Sequence, residues 1–155
     1  MPFLLLFLPF LLAVVAAAAS GMIFPGGGPW YRSLEAPDFL PPDWLFGPVW
    51  TVLYLMIAAC GARLAAQAGR GVALAGFALG LWALQIALNA LWMPTFFGAH
   101  ALGAALVVIS ALWLSIAALV VTAFQVDRLA GWLLVPYLGW VSFAVVLNWA
   151  LWRLN

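Results

Sequence analysis

Three stretches of the sequence set aromatic rings beside uncharged amides at helical spacing. In WALQIALNALWMPTFF, Gln85 and Asn89 are four apart, Trp92 follows three later and Phe96 four beyond that, so all lie on or near one helix face. In FGPVWTVLY, Trp50 and Tyr54 are four apart and set an indole beside a phenol. Trp140, Ala144 and Asn148 form a third stripe, flanked by Phe143 and Leu147, and the small Ala144 leaves room between large rings. Brought together, these faces would line a flat, mostly apolar cavity with a few hydrogen-bonding groups, which suits a planar hydrophobic ligand. Each feature also has a plainer use. Buried amides can tie helices together for about 1 kcal/mol or less, and tryptophans gather at membrane edges. Trp82, Trp132, Trp149 and Trp152 are read as interfacial or packing residues, and Gln85 stays open between pocket and helix tie. Trp50, Trp140 and Asn89 are assigned to the pocket. Met93-Pro94 is expected to kink or open its helix near the end and free a carbonyl.

The rest of the polar chemistry is sparse. No Ser-His-Asp arrangement and no HExxH motif occurs, and Gly26–Gly28 lacks the lysine and strand of a phosphate loop. Cys60 is the only cysteine, which excludes an intramolecular disulfide and disfavours a thiolate metal site. No catalytic residue, metal ligand or cofactor is therefore assigned. Every Asp and Glu, and His100, falls outside the long apolar stretches, so an ion-coupled carrier lacks the mid-membrane ionisable group it usually needs.

The elements that position these faces follow from composition. Of 155 residues, 69% are hydrophobic and 6% charged, and five Lys/Arg against four Asp/Glu leave a net charge of +1. An ordinary soluble domain is about a quarter charged, so lipid is the solvent this chain expects, and no basic face exists for nucleic acid. A hydrocarbon layer of about 30 Å needs roughly 20 helical residues. The sequence offers five such spans, near Pro2–Phe24, Trp44–Ala66, Val72–Phe96, Ala101–Phe124 and Leu129–Leu154. The first has no Lys or Arg before its apolar run, which also exceeds the roughly 7–15 residues of a secretory leader; it is read as a retained helix. The expectation is an all-α integral membrane bundle of five transmembrane helices, one domain over residues 1–155.

One joint stands out. Pro25 to Asp43 holds three of the four acidic residues and is rich in aromatics and proline, whereas the other joints are a few residues long. It is expected to lie as a lid over one end of the bundle, because Trp30, Tyr31, Phe39 and Trp44 would be costly to leave in water. Asp43 is a candidate N-cap for the second span. Asp127 and Arg128 are expected to reach lipid headgroups. Arg63, Arg70 and Arg128 fall on one side and Arg32 and Arg153 on the other, a faint bias for the first side facing inward. Gly76 and Gly80 make a small-xxx-small pair, which serves either a homodimer seam or close packing within one chain.

The motifs together resemble the TspO family, known also as tryptophan-rich sensory proteins, translocator proteins or peripheral-type benzodiazepine receptors. The resemblance rests on Trp30-Tyr31 with Leu34 and Pro37, PPDWLFGPVWTVLY at 41–54, Leu88–Gly98, Asp127 and PYLGWVSFAVVLNWALWRLN at 136–155, and covers almost the whole chain. It implies a five-helix fold with a long closing loop, frequently a homodimer. It also implies a membrane-embedded sensor or translocator that binds porphyrins such as protoporphyrin IX, and sterol or synthetic isoquinoline and benzodiazepine-type ligands. Carried over by motif, the pocket would be Trp50, Tyr54, Asn89, Trp92, Trp140, Phe143, Ala144 and Leu147, with Trp30 and Tyr31 as lid. The sterol pattern of the animal proteins is altered, since Trp149 stands where a Tyr is expected upstream of Arg153, so any sterol binding by it would be weak. Two other readings remain: light- or oxygen-dependent porphyrin breakdown in the same pocket, and a membrane scaffold acting through partners.

Overall fold

A computed structural model of the protein describes residues 3–155. Five long apolar helices form it: α1 (Phe3–Ile23), then, after a short helix α2 (Pro29–Ser33) in the first loop, α3 (Phe46–Ala68), α4 (Ala75–Met93), α5 (Leu102–Val126) and α6 (Arg128–Leu154). Each of the five is long and apolar enough to cross a membrane, and the chain is a multi-pass integral membrane protein. Pro2, where the first expected span begins, lies outside the described residues. The expected limits hold to within a few residues elsewhere.

The helices close into a ring in the order α1, α3, α6, α5, α4, with α5 and α6 in the most extensive contact and α3 also touching α4 across the ring. Leucine and isoleucine fill the interior, with Ile57, Leu64, Ile116, Leu119 and Leu134 fully buried, while leucines and valines on the outward faces stay exposed to what would be lipid. At the α1–α3 crossing a Cβ on Gly61 would overlap the ring of Phe10, so only glycine permits this approach. Phe10 in turn meets Trp82 edge-on at 4.8 Å, and the Trp82 indole N–H donates to the Ile57 carbonyl at 2.9 Å. Trp82 is thus a packing residue, whereas Trp132, Trp149 and Trp152 point outward.

Pro94 does not simply kink α4. The helix widens into a π-type turn over Pro94–Gly98, closed by Ala99 N–H donating to the Pro94 carbonyl at 2.8 Å. This turn carries Phe96 and Phe97 beneath the first loop. The loop packs across that end of the bundle: Trp30 stacks on His100 with centroids 4.0 Å apart and planes at 9°, and meets Phe96 edge-on, while Tyr31 tilts over Phe97 at 5.5 Å. Its middle is held by Asn155, whose side-chain amide accepts from Glu35 N–H at 2.9 Å and donates to the Glu35 carbonyl at 3.0 Å. Two aromatics expected in the lid are not enclosed. Trp44 is 71% exposed and Phe39 also faces outward. Asp43 does not cap: it opens a short 3₁₀ turn over Asp43–Leu45 without a side-chain bond.

The opposite end is clamped by charge. Asp127 accepts two hydrogen bonds from the Arg63 guanidinium, at 3.1 and 2.8 Å, one from Gln67 at 3.0 Å and one from Ala130 N–H at 3.0 Å as the N-cap of α6. It therefore does not reach lipid headgroups, because its side chain, 6% exposed, is spent inside the protein. Burial alone would raise its carboxyl, but the bonds from Arg63, Gln67 and Ala130 and the Arg63 charge outweigh that and hold it at about 2.

Candidate functional site

Beneath the loop lies a cavity of about 420 Å³, within the range of small-molecule sites. Trp50 and Tyr54 from α3, Asn89 and Trp92 from α4, and Trp140, Ala144 and Leu147 from α6 all border it. Each occupies the stripe of its helix that faces the ring's centre, which is why spacings of three and four residues bring them to one place. Phe143 is the exception. Its side chain turns to an outer groove between α3 and α6, against Trp140 and Phe39. One residue from Ala144 is a rotation of about 100° on a helix, enough to move it off the cavity wall. Of the two lid residues, Tyr31 borders the cavity, while Trp30 sits behind it and pins the loop.

The rings are arranged around the opening rather than stacked across it. Trp50 and Tyr54 lie 5.1 Å apart at 33°, Trp140 meets Phe46 edge-on at 5.7 Å, and Trp92 leans on Phe96 at 4.9 Å. Ala144 keeps the space between them open. Arg32 and Asp43, both exposed on the loop side, add one charge of each sign to an otherwise uncharged lining. Burial and then the Asp43 carboxylate push the Tyr31 phenol above its usual 10.0, so it is a neutral hydroxyl at ordinary pH.

Two amide networks fix the walls. The Trp92 indole N–H donates to Asn148 Oδ1 at 3.0 Å, and Asn148 Nδ2 donates to the Leu102 carbonyl at 3.0 Å, tying α4 to α6 and α5. Deeper in the bundle, Tyr54 donates to Asn89 Oδ1 at 3.1 Å, Asn89 Nδ2 donates to Tyr137 Oη at 3.0 Å, and Tyr137 donates to Gln85 Oε1 at 2.9 Å. Gln85, which the sequence leaves open, ties helices together and does not border the cavity. Tyr137 escapes the sequence reading altogether. Its signal is there, three residues before Trp140 on the same side of α6, but it stands ahead of the stripe that Trp140, Ala144 and Asn148 form. Phe46 and Asn148 also border the cavity, as do Ile109 and Leu112 from α5, which carry no polar or aromatic signal.

Comparison with known proteins accounts for nearly the whole chain. Residues 6–153 match the TspO/MBR family. The chain belongs to the TspO/MBR family. Among its TspO/MBR relatives, Protein CrtK of Rhodobacter capsulatus is 43% identical over 152 residues, covering 98% of this chain and 94% of the relative. The tryptophan-rich sensory protein of Cereibacter sphaeroides is 41% identical over 97% of this chain and 91% of its own length. The human translocator protein is 40% identical over 81% of this chain and 75% of its own. In this TspO/MBR member, the aromatic residues of α3, α4 and α6 and the loop across them line one cavity at the loop end.

Proposed function

We propose that this protein is a membrane-embedded binding protein, a sensor or translocator, for porphyrins such as protoporphyrin IX and related flat hydrophobic ligands. The observation that supports it is the convergence of Trp50, Tyr54, Asn89, Trp92, Trp140, Ala144 and Leu147 on one apolar cavity roofed by Tyr31. Trp50 and Trp140 offer ring faces or edges to a planar ligand, Asn89 an amide, and Ala144 the free width. A sterol is at most a weak ligand by this reading. Trp149, in the altered sterol pattern, is exposed on the outside of α6 under the Arg153 guanidinium, 6.0 Å from its ring centroid, and away from the cavity.

The test is a titration of the purified protein in nanodiscs with protoporphyrin IX, first in darkness and then under light, alongside Trp140→Phe. Saturable quenching of tryptophan fluorescence at about one site per chain, weakened several-fold by the substitution, is the expected result. Quenching that never saturates and ignores the substitution overturns porphyrin binding here and leaves the scaffold reading. Of the three indoles on the cavity, Trp92 is tied to Asn148, and the other two, Trp50 and Trp140, favour a second reading, light-dependent breakdown of the bound ring. A spectral product that forms only in light and is lost with Trp140→Phe would establish it.

A homodimer is part of the proposal. Gly76 and Gly80 are exposed, and a Cβ on either would meet nothing within the chain, so packing inside one bundle does not explain them. The pair leaves a strip on the outer face of α4 without side chains, which lets a helix of a second copy approach closely.

A further inference from the structure

The four side chains Tyr54, Asn89, Tyr137 and Gln85 form a single file from the cavity wall into the core. Tyr54 and Asn89 border the cavity; Tyr137 and Gln85 do not and are fully buried. Every bond in the file runs in the same sense, with Tyr54 donating inward and Gln85 accepting at the far end. Gln85 Nε2 is left without a partner. An orphan N–H₂ at that depth has given up its water without gaining a partner, and the binding reading makes no use of it.

Reversing the file leaves the number of bonds unchanged. If both amides turn over, Gln85 Nε2 donates to Tyr137, Tyr137 donates to Asn89 Oδ1, and Asn89 Nδ2 donates to Tyr54 Oη. The three contacts are kept, and the unpartnered atom of Gln85 becomes its carbonyl oxygen in place of its N–H₂. One thing changes at the cavity. In the first arrangement the Tyr54 hydroxyl proton is committed to Asn89 and its oxygen can only accept from a ligand; in the second the proton is free to donate to one.

We propose that Tyr54–Asn89–Tyr137–Gln85 is a reversible hydrogen-bond file that lets one cavity wall present either an acceptor or a donor. Tyr137 and Gln85, which touch no ligand, are then positioning residues that help set ligand preference. The inference rests on the cavity being the binding site. Its source is geometric: an amide has a donor and an acceptor end of nearly the same shape, and two hydroxyls, each able to do either, alternate with two amides. Such a file lets one pocket accept flat ligands of unlike polarity without rebuilding its apolar walls, since a mismatched site would leave a buried polar group unpaired.

Two probes of the same tricyclic outline separate the arrangements: carbazole, whose edge carries an N–H donor, and 9-fluorenone, whose edge carries a carbonyl acceptor. Gln85→Met removes the inner acceptor, so Tyr137 must donate to Asn89 Oδ1 and the file is locked with the Tyr54 proton facing the cavity. In equilibrium dialysis, Gln85→Met is expected to raise the fluorenone-to-carbazole affinity ratio about tenfold, one hydrogen bond's worth. Tyr54→Phe in the same background is expected to return the ratio to near that of the single Tyr54→Phe variant. A Gln85→Met protein that weakens both probes equally, as a merely structural role predicts, overturns the proposal. Should that variant not fold, the wild type decides. Its infrared difference spectrum between fluorenone- and carbazole-bound states must show the tyrosine C–O stretch moving, reduced by Tyr54→Phe, and an unmoved band overturns the proposal. Protoporphyrin IX binding is measured in parallel. Porphyrin that binds while the ratio stays fixed overturns the file alone, and neither porphyrin nor probe saturating overturns the cavity reading with it.

Discussion

Two residues show what a single side chain decides here. Ala144 is a small residue on a cavity wall that also carries Trp50, Trp92 and Trp140, and Ala144→Phe is expected to abolish porphyrin binding in the nanodisc titration while the thermal midpoint changes little, because the new ring enters open space rather than filled core. Asp127 decides stability instead of binding. Its carboxyl, held from 3.8 down to about 2 in the folded protein, contributes stability that is full above pH 4 and is lost as the pH falls through 2. The contribution is about 2 kcal/mol. Thermal unfolding followed from pH 5 to pH 2 is expected to show this loss, and Asp127→Asn, which can still cap α6, to flatten it. The sequence placed Asp127 wrongly for a physical reason. At a joint flanked by Gln125 and Arg128 it has the local look of an interfacial residue, and its partner Arg63 lies 64 positions away, beyond any local pattern. The cavity tryptophans were legible because their partners recur at three and four residues, a period the helix itself enforces. Phe143 shows the limit of that reasoning, since adjacency in sequence is not adjacency on a helix.

Among the elements, the five spans were plain from hydropathy alone, and the first loop was plain as an exception to it. What hydropathy did not convey is how the loop is fastened. The loop uses one short helix, α2, to aim two neighbouring rings in different directions: Tyr31 toward the cavity and Trp30 onto His100. Trp30→Ala removes the stack and the edge contact with Phe96, each worth about 0.5–1.5 kcal/mol. Stopped-flow quenching is expected to show faster porphyrin entry and release in this variant, and limited proteolysis to show faster cutting between Pro25 and Asp43, with the bundle's melting unchanged. Unaltered rates would mean the loop does not control access. The π-type turn after α4 serves the same arrangement, because a proline-ended helix alone would not carry Phe96 and Phe97 beneath the loop.

As a whole, the molecule divides its labour between its two ends. One end is an aromatic roof over the cavity, the other a charged clamp of Arg63, Gln67 and Asp127, and a ring of helices with a leucine-rich interior joins them. On the outer face of α4, Gly76 and Gly80 lie one turn apart with no neighbour inside the chain. Gly80→Ile is expected to shift cross-linked or light-scattering mass in detergent from dimer to monomer without altering porphyrin affinity; a mass unchanged by the substitution removes this face as the seam. The clasp between Asn155 and Glu35 joins positions 120 apart through a paired N–H and C=O, the same bonding one backbone offers another across a sheet. The last turn of α6 therefore holds the middle of the roof by a single side chain. Whatever displaces that side chain frees the loop without touching the cavity, so the rate of ligand entry and the affinity for ligand are set by different parts of the molecule.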